Sequence, residues 1–242
     1  MHTEEKEVSR VVEEFSRFAH QYNDYNMIQS RVASELVEKL PSSSYSNVID
    51  IGCGSGEIFK NFQSRNISVT NFVALDSAKT MLDIHPNDKN IFKVCSDFNA
   101  DSFLESLPVQ QYDLLISSSA LQWSRDFNFT IEKLSSLSET FYGAIFTSGT
   151  FKSLHQTANL LSPIYDDRKV QEFISKYYTN TRFELHHYNL EFNSVREMFK
   201  YIKQSGVSGG EKKLSYKQIK KLMEEYPLDY LEFEVLFIEA IR

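Results

Sequence analysis

The chain has 242 residues, enough for one α/β domain with an elaboration, and its 41% hydrophobic and 24% charged residues are ordinary for a globular protein. A formal net charge of −7 argues against general nucleic-acid binding, and no apolar run approaches the roughly 18 residues of a membrane span. The two cysteines, Cys53 and Cys95, fall in a glycine-rich loop and near a strand end, which disfavours a structural disulfide. The charged start Met1-His2-Thr3-Glu4-Glu5-Lys6-Glu7 lacks the apolar core of a signal peptide, so a reducing cytoplasm is the expected compartment.

In chain order, Val8–Phe18 and Met27–Leu40 carry apolar residues at helical spacing (Met27, Ile28, Val32, Leu36, Leu40), and Pro41 ends the second helix. Strands are then predicted at Val48–Ile51, Phe72–Leu75, Ile91–Cys95, Tyr112–Ser117 and Ala144–Thr147. Helices are predicted between them at Glu57–Gln63, Ala78–Ile84 and Phe127–Leu137. That alternation implies an α/β fold with a parallel sheet covered by helices on both faces. After Gly149 come helices at Leu154–Leu161 and Val170–Tyr178, then two long strands, Phe183–Phe192 and Tyr230–Ala240. Between those strands lie helical segments Val195–Gln204 and Tyr216–Glu225, an insertion too long for a hairpin loop and of a kind that often builds substrate sites.

The most informative stretch is Val48-Ile49-Asp50-Ile51-Gly52-Cys53-Gly54-Ser55-Gly56-Glu57. A buried strand is followed at once by a turn whose glycines permit positive φ and close approach of a ligand, and the next helix points free amides at that ligand. A dinucleotide fingerprint G-x-G-x-x-G would need a third glycine where Glu57 stands. Asp76 closes the second strand, where a carboxylate can accept from both hydroxyls of a ribose. Asp97 and Phe98 follow the third.

The G-x-G-x-G loop with its preceding acid resembles the S-adenosyl-L-methionine site of class I methyltransferases. That resemblance implies a Rossmann-like, mainly parallel seven-stranded sheet with the helical insertion before the last strand. In that pattern Asp97 faces the adenine amino group and Phe98 lies against the ring. Phe15-Ser16-Arg17-Phe18-Ala19-His20-Gln21-Tyr22, with Ile28-Gln29, is similar to the N-terminal signature of the malonyl-acyl-carrier-protein O-methyltransferases of biotin synthesis. Ala120-Leu121-Gln122-Trp123 matches a Leu-Gln-Trp turn found in that family and in trans-aconitate methyltransferases. Asp76-Ser77 with Met81-Leu82, and Ile202-Lys203-Gln204-Ser205-Gly206, extend the likeness. Phe141-Tyr142-Gly143 departs from the family's Pro-Gly-Gly.

The resemblance implies donor contacts at Gln29, Asp50, Gly52, Cys53, Gly54, Asp76, Ser77, Met81, Asp97, Phe98 and Ser117. Tyr22 and Trp123 are cleft walls on this reading, with packing roles as the alternative. It further implies a single domain over 1–242: a helical cap (1–44), a cofactor-binding half (45–150) and a substrate-side half (151–242) with insertion 193–227. The expected reaction methylates the free carboxyl of a malonyl group on acyl carrier protein. Methyl transfer is a direct displacement in which positioning supplies about 7–11 kcal/mol, and a carboxylate is already ionised at neutral pH, so no catalytic residue is required. Lys212, Lys213, Lys217, Lys220 and Lys221, with Lys200 and Lys203, form a basic stretch in which Glu211 is the only acid, a candidate docking surface for an acidic carrier. The histidines show no ligand spacing, and His186-His187 on a strand point to opposite faces, so no metal is expected. Two alternatives stay open: a small-acid methyltransferase of the trans-aconitate type, and a cofactor-binding protein without turnover.

Overall fold

A computed structural model describes residues 26–204 and 216–242. The first predicted helix, Tyr22, Lys212 and Lys213 lie outside the described residues. Along the chain run α1 (Met27–Glu38), β1 (Ser44–Ile51), α2 (Glu57–Ser64), β2 (Ser68–Asp76), α3 (Lys79–Ile84), β3 (Ile91–Cys95), β4 (Leu114–Ser118), α4 (Phe127–Ser135), β5 (Thr140–Phe146), α5 (Lys152–Ala158), α6 (Asp167–Ser175), β6 (Asn180–Glu191), α7 (Val195–Gln204), α8 (Tyr216–Glu225) and β7 (Tyr230–Ile241). Short 3-10 turns occupy Phe103–Ser106 and Leu121–Trp123.

The strands form one seven-stranded sheet in the order β3-β2-β1-β4-β5-β7-β6. β1 to β5 are mutually parallel along this order, whereas β7 runs antiparallel to both β5 and β6. The chain leaves β1 toward β2 on one side and returns to its other side as β4. Loops after β1 and β4 therefore diverge to opposite faces and leave a crevice at their C-terminal ends, where ligands bind in open α/β sheets.

The apolar runs of β1, β2, β4 and β5 are buried on both faces, with successive residues turned to opposite sides, whereas the edge strands β3 and β6 are only partly covered. Val48, Phe72, Ala74, Leu114 and Ile116 join the core layer containing α1 and α2. Ile49, Ile51, Val73, Leu75 and Leu115 join the layer under α4 and α6. Phe72 is the hub of the first layer, its ring edge-on to Phe59 at 5.1 Å and to Phe62 at 5.7 Å.

The structure lengthens several predicted strands. β1 and β2 begin four residues early because polar Ser44–Asn47 pairs in register with Ser68–Asn71, and Asn71 Nδ2 donates to Asn47 Oδ1 at 2.8 Å. Backbone pairing needs no apolar side chain, so periodicity misses such extensions. β5 likewise starts at Thr140, with Phe141 and Tyr142 inside it. Met27, counted with the apolar face of α1, is 53% exposed, and Gln29 is buried on that face instead. No described helix is long and apolar enough to cross a membrane.

Truncating the hub tests the packing account. Phe72 is 0% exposed, so Phe72→Ala should cost about 3–5 kcal/mol in urea unfolding. A loss below about 1 kcal/mol would mean that the aromatic cluster does not carry this layer.

Candidate functional site

The turn after β1 is built by backbone conformations that suit glycine. Gly52 has φ +72° and Gly56, which caps α2, has φ +85°. A Cβ on Gly52 would lie 2.2 Å from Ala120 Cβ, so the β1 and β4 loops touch there only because the side chain is missing. The amides of Gly52 and Cys53 donate to Leu75 O at 2.8 and 2.9 Å. Asp76 completes the clamp, with Oδ2 accepting from Gly54 N at 2.9 Å and Oδ1 from Ala78 N at 2.8 Å. One carboxylate thus joins the glycine loop to the turn that starts α3.

Beside this clamp lies a cleft of about 980 Å³, its mouth included, at the C-terminal ends of β1, β2, β3 and β4. Gln29, Asp50, Gly52, Cys53, Gly54, Asp76, Ser77, Met81, Asp97, Phe98 and Trp123 line it, joined by Ser118 and Ser119. Asp50 is 1% exposed, and neither carboxylate oxygen has a hydrogen-bond partner among the described residues. Burial, then the negative charge of Asp76, pushes the Asp50 carboxyl well above the ordinary carboxylate range. Asp76 is raised as well, by burial, against which the Ala78 and Gly54 amides act. Burial and the two nearby carboxylates raise the Cys53 thiol, which is therefore kept protonated rather than poised as a nucleophile. Asp97 is held by Asn99, whose backbone and side-chain nitrogens donate to Oδ1 at 2.8 and 3.0 Å, and by Arg125 at 3.5 Å.

A second cleft of about 510 Å³, mouth included, shares Trp123 with the first. Its described walls are largely apolar (Phe146, Phe151, Leu154, Pro163, Ile164 and Ile202), with Gln122, Thr150, His155 and Ser162 as the polar groups. At the junction, Trp123 Nε1, Ser118 Oγ, Ser119 Oγ and Gln122 Oε1 are buried without a hydrogen-bond partner among the described residues. Orphaned polar groups are costly and are usually met by a ligand or ordered water.

The family model described as a methyltransferase domain (Methyltransf_11) matches residues 49–162, the segment carrying the clamp and the three strand-end acids. Those residues, just under half of the chain, are similar to a methyltransferase domain. The malonyl-[acyl-carrier protein] O-methyltransferase of Acetivibrio thermocellus is 33% identical to it over 151 residues, covering 58% of this chain and 50% of that protein. The enzyme of the same name from Buchnera aphidicola subsp. Baizongia pistaciae is 24% identical over 231 residues, covering 90% of each chain. The match thus spans half the length of the first relative and most of the second. Among solved structures, YcgJ from Bacillus subtilis superposes with a TM-score of 0.63 at 12% identity, over 88% of this chain and 98% of that one. That likeness shows the fold.

The residues expected to meet the donor lie along one cleft with a single correction. Ser117 does not line it: its hydroxyl turns into the sheet and donates to Ile51 O at 2.8 Å, and Ser118 and Ser119 take its place. Ser119 has φ +60°, which ends β4 and turns the chain along the cleft rim. The run Ser117-Ser118-Ser119 was the available signal, but strand alternation alone does not say which serine faces the crevice. Asn99 holds Asp97 from two residues on, whereas Arg125 gave no signal in sequence because it meets Asn99 across 26 residues, its backbone N donating to Asn99 Oδ1 at 2.8 Å. Of the basic stretch, Lys217, Lys220 and Lys221 are exposed on α8, and Lys220 and Lys221 approach Glu224 and Glu225 of the next turn at 3.8 and 3.7 Å. Among the described residues no group of three or more His, Cys, Asp or Glu is placed to hold a metal. His186 turns to Glu35 at 3.6 Å and His187 to Glu234 at 3.8 Å.

The buried Asp50 has a consequence for stability. With its pKa raised in the folded state, folded protein keeps a proton that the unfolded chain has already released. Stability therefore falls as pH rises through the window between the two values. Asp50→Asn removes that charge, so the ligand-free variant should melt higher than the parent near pH 7, and the gap should close toward pH 4. Thermal melts across that range check this, and a gap independent of pH would remove the buried charge as its cause.

Proposed function

We propose that this chain transfers a methyl group from S-adenosylmethionine to the free carboxyl of a malonyl group on acyl carrier protein, a step of biotin precursor synthesis. When bound, S-adenosylmethionine supplies an electrophilic methyl group on sulfur. The residues of the first cleft suit it. The carboxylate of Asp50 would hold the ammonium group, a charge-assisted match for an acid with no hydrogen-bond partner among the described residues. Asp76 uses two acceptor sites on backbone amides and keeps others for ribose hydroxyls. Met81 and Phe98 offer apolar surface for adenine, and Asp97, oriented by Asn99 and Arg125, an acceptor for its amino group.

The observation that carries the acceptor reading is the second cleft, joined to the first through Trp123 and walled mainly by apolar side chains. A malonyl thioester brings one carboxylate to the junction and leaves an uncharged stem behind. A small tricarboxylic acid would instead press further charges against Phe146, Phe151 and Ile164, at a desolvation cost those walls do not offset. The names of the relatives support the same acceptor. Orphaned donors at the junction, including Trp123 Nε1 and the Ser118 and Ser119 hydroxyls, would orient the acceptor oxygen. No proton needs to be removed from an ionised carboxylate, so this chain's task is binding, alignment and exclusion of water.

Radiolabelled methyl transfer to malonyl carrier protein, malonyl coenzyme A and aconitate, assayed in parallel, tests the acceptor. The carrier thioester should be the best substrate, and reversing Lys217 and Lys220 to Glu should slow it alone, least at high salt. Preferential methylation of aconitate would overturn the reading in favour of the small-acid alternative. Methylation of no acceptor would favour a cofactor-binding protein without turnover.

Donor binding has its own check. Asp76→Asn removes the charge while keeping an acceptor for the loop amides. Losing charge assistance worth about 1.5–3 kcal/mol gives roughly ten-fold weaker binding or more. Calorimetric titration with an unchanged dissociation constant would take Asp76 out of the donor site.

A further inference from the structure

We infer that Phe151 sets the length of the acyl acceptor this domain takes; the inference rests on the acyl-thioester reading above and names the side chain that decides it. Phe151 occupies the left-handed region, with φ +55° and ψ 32°, at the residue that caps α5. Glycine or asparagine is the ordinary occupant of that conformation, and a bulky aromatic there is an outlier. The same helix ends on Asn159 at φ +53°, an unremarkable choice, so the chain places a permissive residue at one end and a resisting one at the other. Gly149 sits two residues before Phe151 and is not used for the left-handed turn.

The conformation persists because β7 pins the turn from several directions. Phe151 N donates to Glu232 O at 2.8 Å, and Ser153 N to Glu232 Oε2 at 2.8 Å. Glu234 accepts from Thr147 Oγ1 and from Gly149 N through one carboxylate oxygen, while Thr150 Oγ1 donates to its carbonyl at 3.0 Å. The ring is 4% exposed and stands edge-on to Phe233 at 5.0 Å and 65°. Backbone strain that surroundings over-determine in this way is concentrated at functional positions. Here its product is a fixed aromatic wall in the second cleft.

That cleft meets the donor cleft at Trp123. An acceptor whose carboxyl passes Trp123 must lay the rest of its chain among Phe146, Phe151 and Leu154. A malonyl group has one methylene between carboxyl and thioester. Each added methylene pushes the thioester farther into a space that the Phe151 ring occupies. Removing the ring should therefore favour longer dicarboxylic monothioesters over malonyl.

Phe151→Gly removes the ring and suits the left-handed backbone, and Phe151→Leu removes part of the ring volume while staying apolar. Second-order rate constants would be measured for malonyl and glutaryl thioesters on the same carrier protein. S-adenosylhomocysteine titration reports whether each variant keeps its donor site. Fluorescence of Trp123, the single tryptophan of the chain, reports binding of the thioesters without turnover. We expect the glutaryl-to-malonyl ratio to rise ten-fold or more in Phe151→Gly and less in Phe151→Leu, in line with pocket discrimination of roughly 10–200-fold per methylene. Binding of S-adenosylhomocysteine should stay within two-fold of the parent, and glutaryl thioester should quench Trp123 at lower concentration than in the parent. If Phe151→Gly no longer binds S-adenosylhomocysteine, the ratio in Phe151→Leu decides. Equal losses for both thioesters, with the ratio unchanged in the variants that bind donor product, would reduce Phe151 to a packing residue while leaving the acceptor reading intact. A parent enzyme that methylates neither thioester would overturn both.

Discussion

The carboxylate of Asp76 is the constraint on which the rest of the site depends. It stands at the end of β2 and draws in one amide from the glycine loop and one from the start of α3. Those bonds fix where the loop after β1 runs, and with it the positions of Asp50, Cys53 and Gly54. The loop in turn packs against Ala120 with no room for a side chain at Gly52, which brings the β4 turn and Trp123 to the same rim. A sheet that reverses its strand order beside β1 supplies the crevice, and the Asp76 clamp gives the crevice its floor.

This arrangement is electrostatically unbalanced in the protein alone. Burial, then the charge of Asp76, disfavours ionisation of Asp50, which has no donor beside it among the described residues. A fold that keeps such a pair holds a site suited to a cation and accepts lower stability near neutral pH in return. A positively charged ligand that paired Asp50 would relieve the same penalty, so binding and stability are linked through one side chain. The neighbouring thiol of Cys53 is made less acidic by burial and then by the two carboxylates, which argues against covalent chemistry at the loop.

The acceptor side is organised differently. Its polar bonds are made by Glu232 and Glu234 on β7, and they fix a turn instead of facing the ligand. What lines the second cleft is therefore mostly aromatic and aliphatic surface, with few polar groups near Trp123. One cleft thus presents charge and hydrogen-bonding groups, and the other presents mainly apolar shape.

Much of the fold and most of the lining of the first cleft were legible in the sequence because both are written in local signals. Apolar runs of four or five residues marked strands, those of β1 and β2 buried on both faces, glycines marked the turn, and an acid stood at or just beyond the end of each of the first three strands. The polar extensions of β1 and β2 were not legible, since hydrogen bonding between Asn47 and Asn71 has no apolar signature. Nor was the difference between Ser117 and its two successors, which depends on the direction β4 takes at its end. By itself the sequence determined the strand–helix alternation and the acids that line the first cleft, because periodicity and turn chemistry act within a few residues. Tertiary structure alone decided that Asp50 lacks a partner among the described residues, that Arg125 reaches Asn99 and Asp97, and that Phe151 is forced into a left-handed turn by β7. Each of those facts arises where segments far apart in the chain meet, and sequence proximity carries no record of such meetings.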